Sequence, residues 1–110
     1  MKVAYAQFNF HIGHFSENQK RIIEGIEQAK KENADVVLFP ELCVTGYPPR
    51  DFLEFDDFIQ EVENCVNHIA KACIGITVVI GAPTKNTSGR GKKLHNSAIV
   101  LEHGKIASVH

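Results

Sequence analysis

A single carboxylate follows a short apolar run near the middle of the chain. Residues 36–39 read Val-Val-Leu-Phe, and Pro40 and Glu41 come directly after them. Ligand sites in α/β sheets gather beyond the carboxyl ends of strands, where partial desolvation raises the pKa of a carboxylate toward the range of a general base. A solvated loop glutamate is the alternative, and position alone leaves both open. The Gly-Tyr-Pro-Pro turn at 46–49 favours the general base, because it can hold an aromatic ring beside the strand end.

Three cysteines are candidate nucleophiles, but none has the surroundings that a nucleophile needs. Cys43 lies two residues from Glu41, and a nearby negative charge raises the pKa of a thiol and makes it less reactive. Cys65 and Cys73 fall on a predicted helix, Cys73 within its apolar stripe and Cys65 beside it, so we interpret both as core residues. The odd number of cysteines at irregular spacing indicates reduced thiols rather than a disulfide framework.

Metal and phosphate sites are not predicted for this segment. His11 and His14 form an H-x-x-H pair in a predicted loop, but no further ligands stand out. The polar, glycine- and serine-rich stretch 84–93 fails the Walker pattern twice, with Asn86 in place of the first glycine and Lys93 in place of Ser or Thr. We therefore expect a surface loop there, and no cofactor bound by these residues.

Composition favours one small soluble domain. The chain has 110 residues, of which 44% are hydrophobic and 23% charged, with a formal net charge of −1. Without a basic excess no nucleic-acid partner is expected, and the apolar runs are too short for a membrane span. The first ten residues do not read as a signal peptide, so a cytoplasmic location is expected.

Hydrophobic periodicity predicts alternating strands and helices, followed by a hairpin. The predicted strands are 3–8, 35–39 and 76–80, all lacking polar alternation and expected to be buried on both faces. Two amphipathic helices separate them, with apolar residues at helical spacing over 22–29 and 55–73. A tight turn at Gly104 joins two further strands at 94–101 and 105–109.

This order predicts an α/β fold with a sheet that has parallel neighbours. No helix follows the last strand, so we expect one edge and one face of the sheet to be uncovered. Residues 1–110 are accordingly predicted to be the N-terminal portion of a larger domain.

Several segments together resemble the nitrilase, or carbon–nitrogen hydrolase, superfamily. The matching segments are 2–9, Gly13 with Asn18, 34–42 around Glu41, and 96–98 before the hairpin. The resemblance implies the first part of an α-β-β-α sandwich, with a mixed sheet and helices on one face. His14 is a departure, because relatives often carry an acidic residue there.

The segment 45–53, Thr-Gly-Tyr-Pro-Pro-Arg-Asp-Phe-Leu, is similar to the corresponding segment of glutamine-dependent NAD synthetases. In that group, an amidase domain hydrolyses glutamine and feeds ammonia to a C-terminal synthetase domain. The synthetase domain uses ATP and magnesium to make NAD from its deamido precursor. The resemblance thus implies glutamine as substrate, a synthetase domain as partner, a homo-oligomer, and ATP and magnesium outside this segment.

The resemblance also implies a Glu–Lys–Cys mechanism. Glu41 matches the general base, Tyr47 is expected to line the glutamine pocket, and Phe39 to support the glutamate from the core. The lysine is expected just beyond His110 and the nucleophilic cysteine further on, so the segment alone is expected to be inactive. A stand-alone amidase acting on another amide and a non-catalytic binding fragment are the alternatives.

Overall fold

A computed structural model describes residues 1–6, 15–40, 55–85 and 94–110 of the chain. Within these ranges lie two helices and five strands, none of the helices being long and apolar enough to cross a membrane. In chain order they are β1 (Val3–Tyr5), α1 (Phe15–Lys31), β2 (Val36–Leu38), α2 (Phe55–Ala70), β3 (Thr77–Lys85), β4 (Leu94–Glu102) and β5 (Lys105–Val109).

The five strands form one mixed sheet in the order β1-β2-β3-β4-β5. β1, β2 and β3 run parallel to one another. β4 runs antiparallel to β3, and β5 runs antiparallel to β4. Crossover helices α1 and α2 return the chain to the same end of the sheet, which makes the first three strands parallel, whereas hairpin connections reverse the direction. The predicted α/β fold with parallel neighbours is confirmed.

Both helices pack on one face of the sheet and contact each other. Their apolar stripes recur every three or four residues and are almost fully buried, because a helix presents such residues on one side. The sheet contributes alternate residues of β3 and β4 to this core, because successive side chains of a strand point to opposite faces. The core side chains least exposed to solvent are Ile22, Ile26, Ile69, Cys73, Val37, Val78, Ile80, Ala82 and Leu101.

The end of α1 is fixed by local hydrogen bonds. Asn33 adopts a left-handed conformation with φ of 60°. Its N–H donates to the carbonyl of Lys30 at 3.0 Å, and the N–H of Ala34 donates to that of Ala29 at 3.0 Å, which together form a Schellman motif. The Nζ of Lys30 donates to the carbonyl of Ala72 at 2.7 Å, so the same turn also ties α1 to the end of α2.

The opposite face of the sheet is not covered by any described residue, which agrees with the uncovered face expected from the order of the elements. The separate prediction that β1 is buried on both faces was wrong. Val3 and Tyr5 are 54% and 59% exposed. β1 is an edge strand, and both side chains lie on the face away from the helices. A sequence without alternation indicates two apolar faces, but it does not reveal whether both have a covering layer.

β3 is longer than its sequence indicates. Thr84 and Lys85, predicted to begin the surface loop, are the last two residues of the strand and pair with His95 and Leu94. The polar, glycine- and serine-rich stretch that follows reads as a loop, but pairing with β4 satisfies the backbone groups of these two residues. Cross-strand pairing is a non-local contact that periodicity alone does not register.

Two glycines with positive φ, one before β3 and one between β4 and β5, test how far each turn depends on glycine. Gly75 has φ of 78° and Gly104 φ of 77°; an added Cβ meets nothing within 4 Å at Gly75 but lies 3.2 Å from Cδ1 of Ile74 at Gly104. Ile74 is 58% exposed and can rotate away. We expect Gly75→Ala and Gly104→Ala each to lower the free energy of unfolding by about 1 kcal/mol, measured by urea denaturation. A much larger loss at Gly104 would show that Ile74 is held rigidly.

Candidate active site

The described part of the chain includes the strand that leads to Glu41. β2 ends at Leu38, and the N–H of Phe39 extends the ladder by donating to the carbonyl of Val79 at 2.9 Å. The Phe39 side chain is only 7% exposed and belongs to the core. Backbone pairing and burial therefore fix the chain up to Phe39, as expected of a support for the residues that follow.

A cavity of about 390 Å³ lies where β2 stops and β3 continues. β3 has a parallel neighbour, β2, on one side and an antiparallel neighbour, β4, on the other. One cross-sheet row of its lining consists of Gly81, Ala98 and His110, which the register places side by side on the uncovered face. Because Gly81 and Ala98 have little or no side chain, they leave the space open. A cavity beyond the carboxyl end of a parallel strand is the usual position of a ligand site in α/β proteins.

One polar side chain of the cavity lies on the uncovered face. A ring nitrogen of His110 is 2.9 Å from the hydroxyl of Ser108, and His110 lines the cavity, where it can hydrogen-bond to a small polar ligand. Ser97 also borders the cavity, but its hydroxyl lies 2.6 Å from that of Thr84 on the helix side of the sheet, opposite to Ala98.

Glu41 and Tyr47, the two predicted site residues, lie outside the described residues. Phe39, two positions before Glu41 in the sequence, lines the cavity. The roles of Glu41 as general base and Tyr47 as a lining residue stay predictions.

Sequence reasoning did not identify His110 and Ser97 as cavity residues. His110 read as an isolated histidine, and Ser97 only as part of a family-like segment. Their proximity depends on the antiparallel pairing of β4 with β3 and β5, in which Ala98 and His110 exchange backbone hydrogen bonds of 2.9 and 2.8 Å. A predicted register for the hairpin is the one sequence signal that could have found His110.

Cys65 and Cys73 lie in the core, as predicted, and their surroundings disfavour the reactive thiolate form. Burial raises the pKa of each thiol from 9.0 to about 11. Glu61 adds to the rise for Cys65, whereas Lys30 opposes it for Cys73. Both groups are therefore protonated at neutral pH. Cys43, His11 and His14 lie outside the described residues.

We expect Cys65 and Cys73 to resist iodoacetamide at neutral pH in the folded protein and to react once urea unfolds it. In the folded protein, any labelling should increase as the pH rises from about 9 to about 11, since that is where the thiolates form. Mass spectrometry of a Cys43→Ser variant measures these two residues without the third thiol. Rapid labelling at pH 7 under native conditions would contradict their burial.

Among the described residues, no three acidic, histidine or cysteine side chains come close enough to hold a metal ion. The absence of a cofactor from this segment, and the ATP and magnesium that the resemblance implies for a synthetase domain, stay predictions.

The sequence profile of the carbon-nitrogen hydrolase family matches residues 2–110. The glutamine-dependent NAD(+) synthetase of Xanthomonas campestris pv. campestris (strain 8004) is 40% identical over 111 residues, covering 100% of this chain and 19% of the relative. That of Xylella fastidiosa (strain Temecula1) is 41% identical over 107 residues, covering 96% of this chain and 19% of the relative. The chain thus spans about a fifth of the length of these curated relatives.

Solved structures share the fold. A glutamine-dependent NAD(+) synthetase from Cytophaga hutchinsonii matches 97% of this chain with a TM-score of 0.86 and 28% identity, over 18% of its own chain. An amidase from Nesterenkonia sp. matches 100% of this chain with a TM-score of 0.77 and 21% identity, over 41% of its own chain. The predicted nitrilase-type fold is therefore confirmed, and sequence similarity is higher to the synthetases.

Proposed function

Because this chain belongs to the carbon–nitrogen hydrolase family, we propose that it forms the first part of a glutamine-hydrolysing domain that supplies ammonia to an NAD synthetase. The observation that carries the proposal is its 40% identity to a glutamine-dependent NAD(+) synthetase over the whole chain. The amidase match is at 21% identity and shows the shared fold only. A stand-alone amidase acting on another amide is therefore less favoured.

In the proposed reaction, Glu41 is the general base. Its carboxylate takes the proton of a cysteine thiol, and the thiolate attacks the amide carbon of glutamine. The C–N bond breaks, the proton passes to the leaving nitrogen, and ammonia departs to leave a thioester. Glu41 then takes a proton from water, which attacks the thioester and releases glutamate and the thiol. A lysine stabilises the oxyanion in both steps.

The cysteine and lysine of this reaction come from outside residues 1–110. Cys65 and Cys73 are buried and protonated at neutral pH, which does not suit a nucleophile. Residues 1–110 alone are therefore expected to have no glutaminase activity, and to act as part of a larger domain.

The uncovered face of the sheet supports the proposal that residues 1–110 are part of a larger domain. Tyr5, Leu38, Val79 and Val100 form one row across the first four strands on that face, by the register of the sheet. Tyr5 is 59% exposed and the others are partly exposed. A contiguous apolar row is suited to packing against a second layer. Such a layer would also close the cavity beside Phe39 and exclude water from it.

Homo-oligomerisation, a synthetase domain as partner, its use of ATP and magnesium, and a cytoplasmic location belong to the same proposal. They follow from what the synthetases are named for and from the family resemblance. Sedimentation of the longer protein would check homo-oligomerisation, and cell fractionation would check the cytoplasmic location.

A chimera tests the proposed function. In it, residues 1–110 replace the matching segment of the Xanthomonas campestris synthetase, which is 40% identical. We expect the chimera to release ammonia from glutamine and to make NAD with glutamine as nitrogen donor. Asparagine and simple aliphatic amides are the comparison substrates. Preferential hydrolysis of another amide would favour the stand-alone amidase reading instead.

A further inference from the structure

One fully buried side chain of α1 carries an amide. Asn18 is 0% exposed and lies near the start of the helix. It continues the buried stripe formed by Ile22 and Ile26, because residues four apart lie on the same side of a helix. Close packing alone would favour a hydrocarbon side chain at this position, and asparagine is a poorer helix former than leucine. Neither apolar burial nor helix propensity therefore explains the amide.

The amide of Asn18 is held by hydrogen bonds. An amide that is buried without them destabilises a fold. In the described part of the chain, every buried side-chain nitrogen and oxygen has a hydrogen-bond partner. An amide group both donates and accepts, and each bond has a preferred distance and direction. The side chain of Asn18 can therefore fix the position of its neighbours more precisely than apolar contacts do.

Asn18 lies at the same end of the sheet as the end of β2. α1 connects the parallel strands β1 and β2, so it runs in the opposite direction and begins at their carboxyl ends. Nζ of Lys2, just before β1, donates to the carbonyl of Glu32, just after α1, which places the end of the helix at the amino ends. α1 contacts β2, and the buried side chain of Phe39 lies at the other end. The start of α1 and the end of β2 are therefore neighbours.

The other buried polar side chain of the described residues also lies towards this end. Ser97 pairs with Ala82, in the part of the sheet beyond the end of β2, and borders the cavity. Core residues at the opposite end, such as Ala29, Cys73 and Ile76, carry neither an amide nor a hydroxyl. Satisfied buried polar groups specify one arrangement of a core. Their placement indicates that the end near the cavity needs a defined geometry in addition to close packing.

We propose that Asn18 is a positioning residue of the glutaminase site. Its amide fixes the end of β2, at Leu38 and Phe39, against α1, and through this strand it fixes the direction in which the chain leads to Glu41. Asn18 does not contact the substrate and acts only through the position of the general base. The inference rests on the proposed function, because that function makes Glu41 the base.

The test uses two substitutions of Asn18 in the chimera and a packing control on the same helix. Asn18→Leu keeps nearly the same size but removes the amide, whereas Asn18→Ser retains a group that can donate and accept a hydrogen bond. Ile26→Val removes one carbon from a fully buried residue further along the stripe. The measurements are kcat and KM for ammonia release from glutamine, NAD formation from added ammonia, and thermal unfolding.

We expect Asn18→Leu to lower kcat with glutamine by about tenfold or more, because a small displacement of a catalytic group has a large effect on rate. KM should stay within about twofold, since the base acts on the chemical step rather than on binding. NAD formation from added ammonia should be unchanged. Asn18→Ser should lose less activity than Asn18→Leu, and Ile26→Val should lower the unfolding temperature without changing the ratio of the two activities.

Several outcomes would overturn the inference. A folded Asn18→Leu enzyme with normal glutamine turnover, or with a loss no larger than that of Ile26→Val, would make Asn18 a structural residue only. Equal losses of glutamine-driven and ammonia-driven NAD formation would show general damage to the enzyme. If Asn18→Leu does not fold, the same comparison is made with Asn18→Ser. An unsubstituted chimera that releases no ammonia from glutamine would remove the proposed function itself, and this inference with it.

Discussion

The Glu41→Gln substitution is expected to lower ammonia release from glutamine by about 10²–10⁴-fold in the chimera. Glutamine has nearly the shape of glutamate but cannot accept a proton at neutral pH, so neither the thiol nor the water is activated. Ammonia-driven NAD formation should be unchanged, because added ammonia bypasses the amidase domain. Coupled assays of ammonia release and NAD formation measure the two activities separately.

The matched control is Glu24→Gln, an exposed residue of α1. It makes the same chemical change away from the cavity, so glutamine hydrolysis should stay within about twofold of the chimera, as for an exposed substitution away from the site. A Glu41→Gln enzyme that still hydrolyses glutamine at the normal rate would remove Glu41 from the mechanism.

The second large effect is on stability. Ile80→Ala is expected to lower the free energy of unfolding of the 110-residue chain by about 2–5 kcal/mol. Ile80 is 1% exposed, in the middle of β3, where α2 packs on the sheet. Removal of its outer carbons loses apolar burial and leaves a cavity in a closely packed core. For a small domain with a total stability of about 5–15 kcal/mol, this is a large fraction.

Ile74→Ala is the control, since it removes the same atoms at a 58% exposed position. We expect a loss of less than about 1 kcal/mol there, measured by urea denaturation followed by circular dichroism. Equal losses for the two variants would mean that the helix side of the sheet is not the main core.

Local pattern in the sequence predicted most of the fold. The stripes of α1 and α2 follow from residues such as Ile22 and Ile26, or Val62 and Val66, whose spacing places them on one side of a helix. The hairpin turn followed from Gly104, whose φ of 77° suits glycine. These signals are local, so they can be read without knowing which strands pair.

The features that sequence did not predict depend on distant contacts. The extension of β3 to Lys85 needs its partners on β4. The cavity at the end of β2 likewise arises from the register that aligns Gly81, Ala98 and His110. By contrast, Glu41 could be proposed as general base because its position after an apolar strand is a local signal.

The most direct test of the account is the ratio of glutamine-driven to ammonia-driven NAD formation in the chimera, measured with Glu41→Gln and with Glu24→Gln. The account predicts that this ratio falls by about 10²-fold or more with Glu41→Gln and is unchanged with Glu24→Gln. A ratio that is the same for both variants would contradict the claim that this chain supplies the general base of a glutamine-hydrolysing domain.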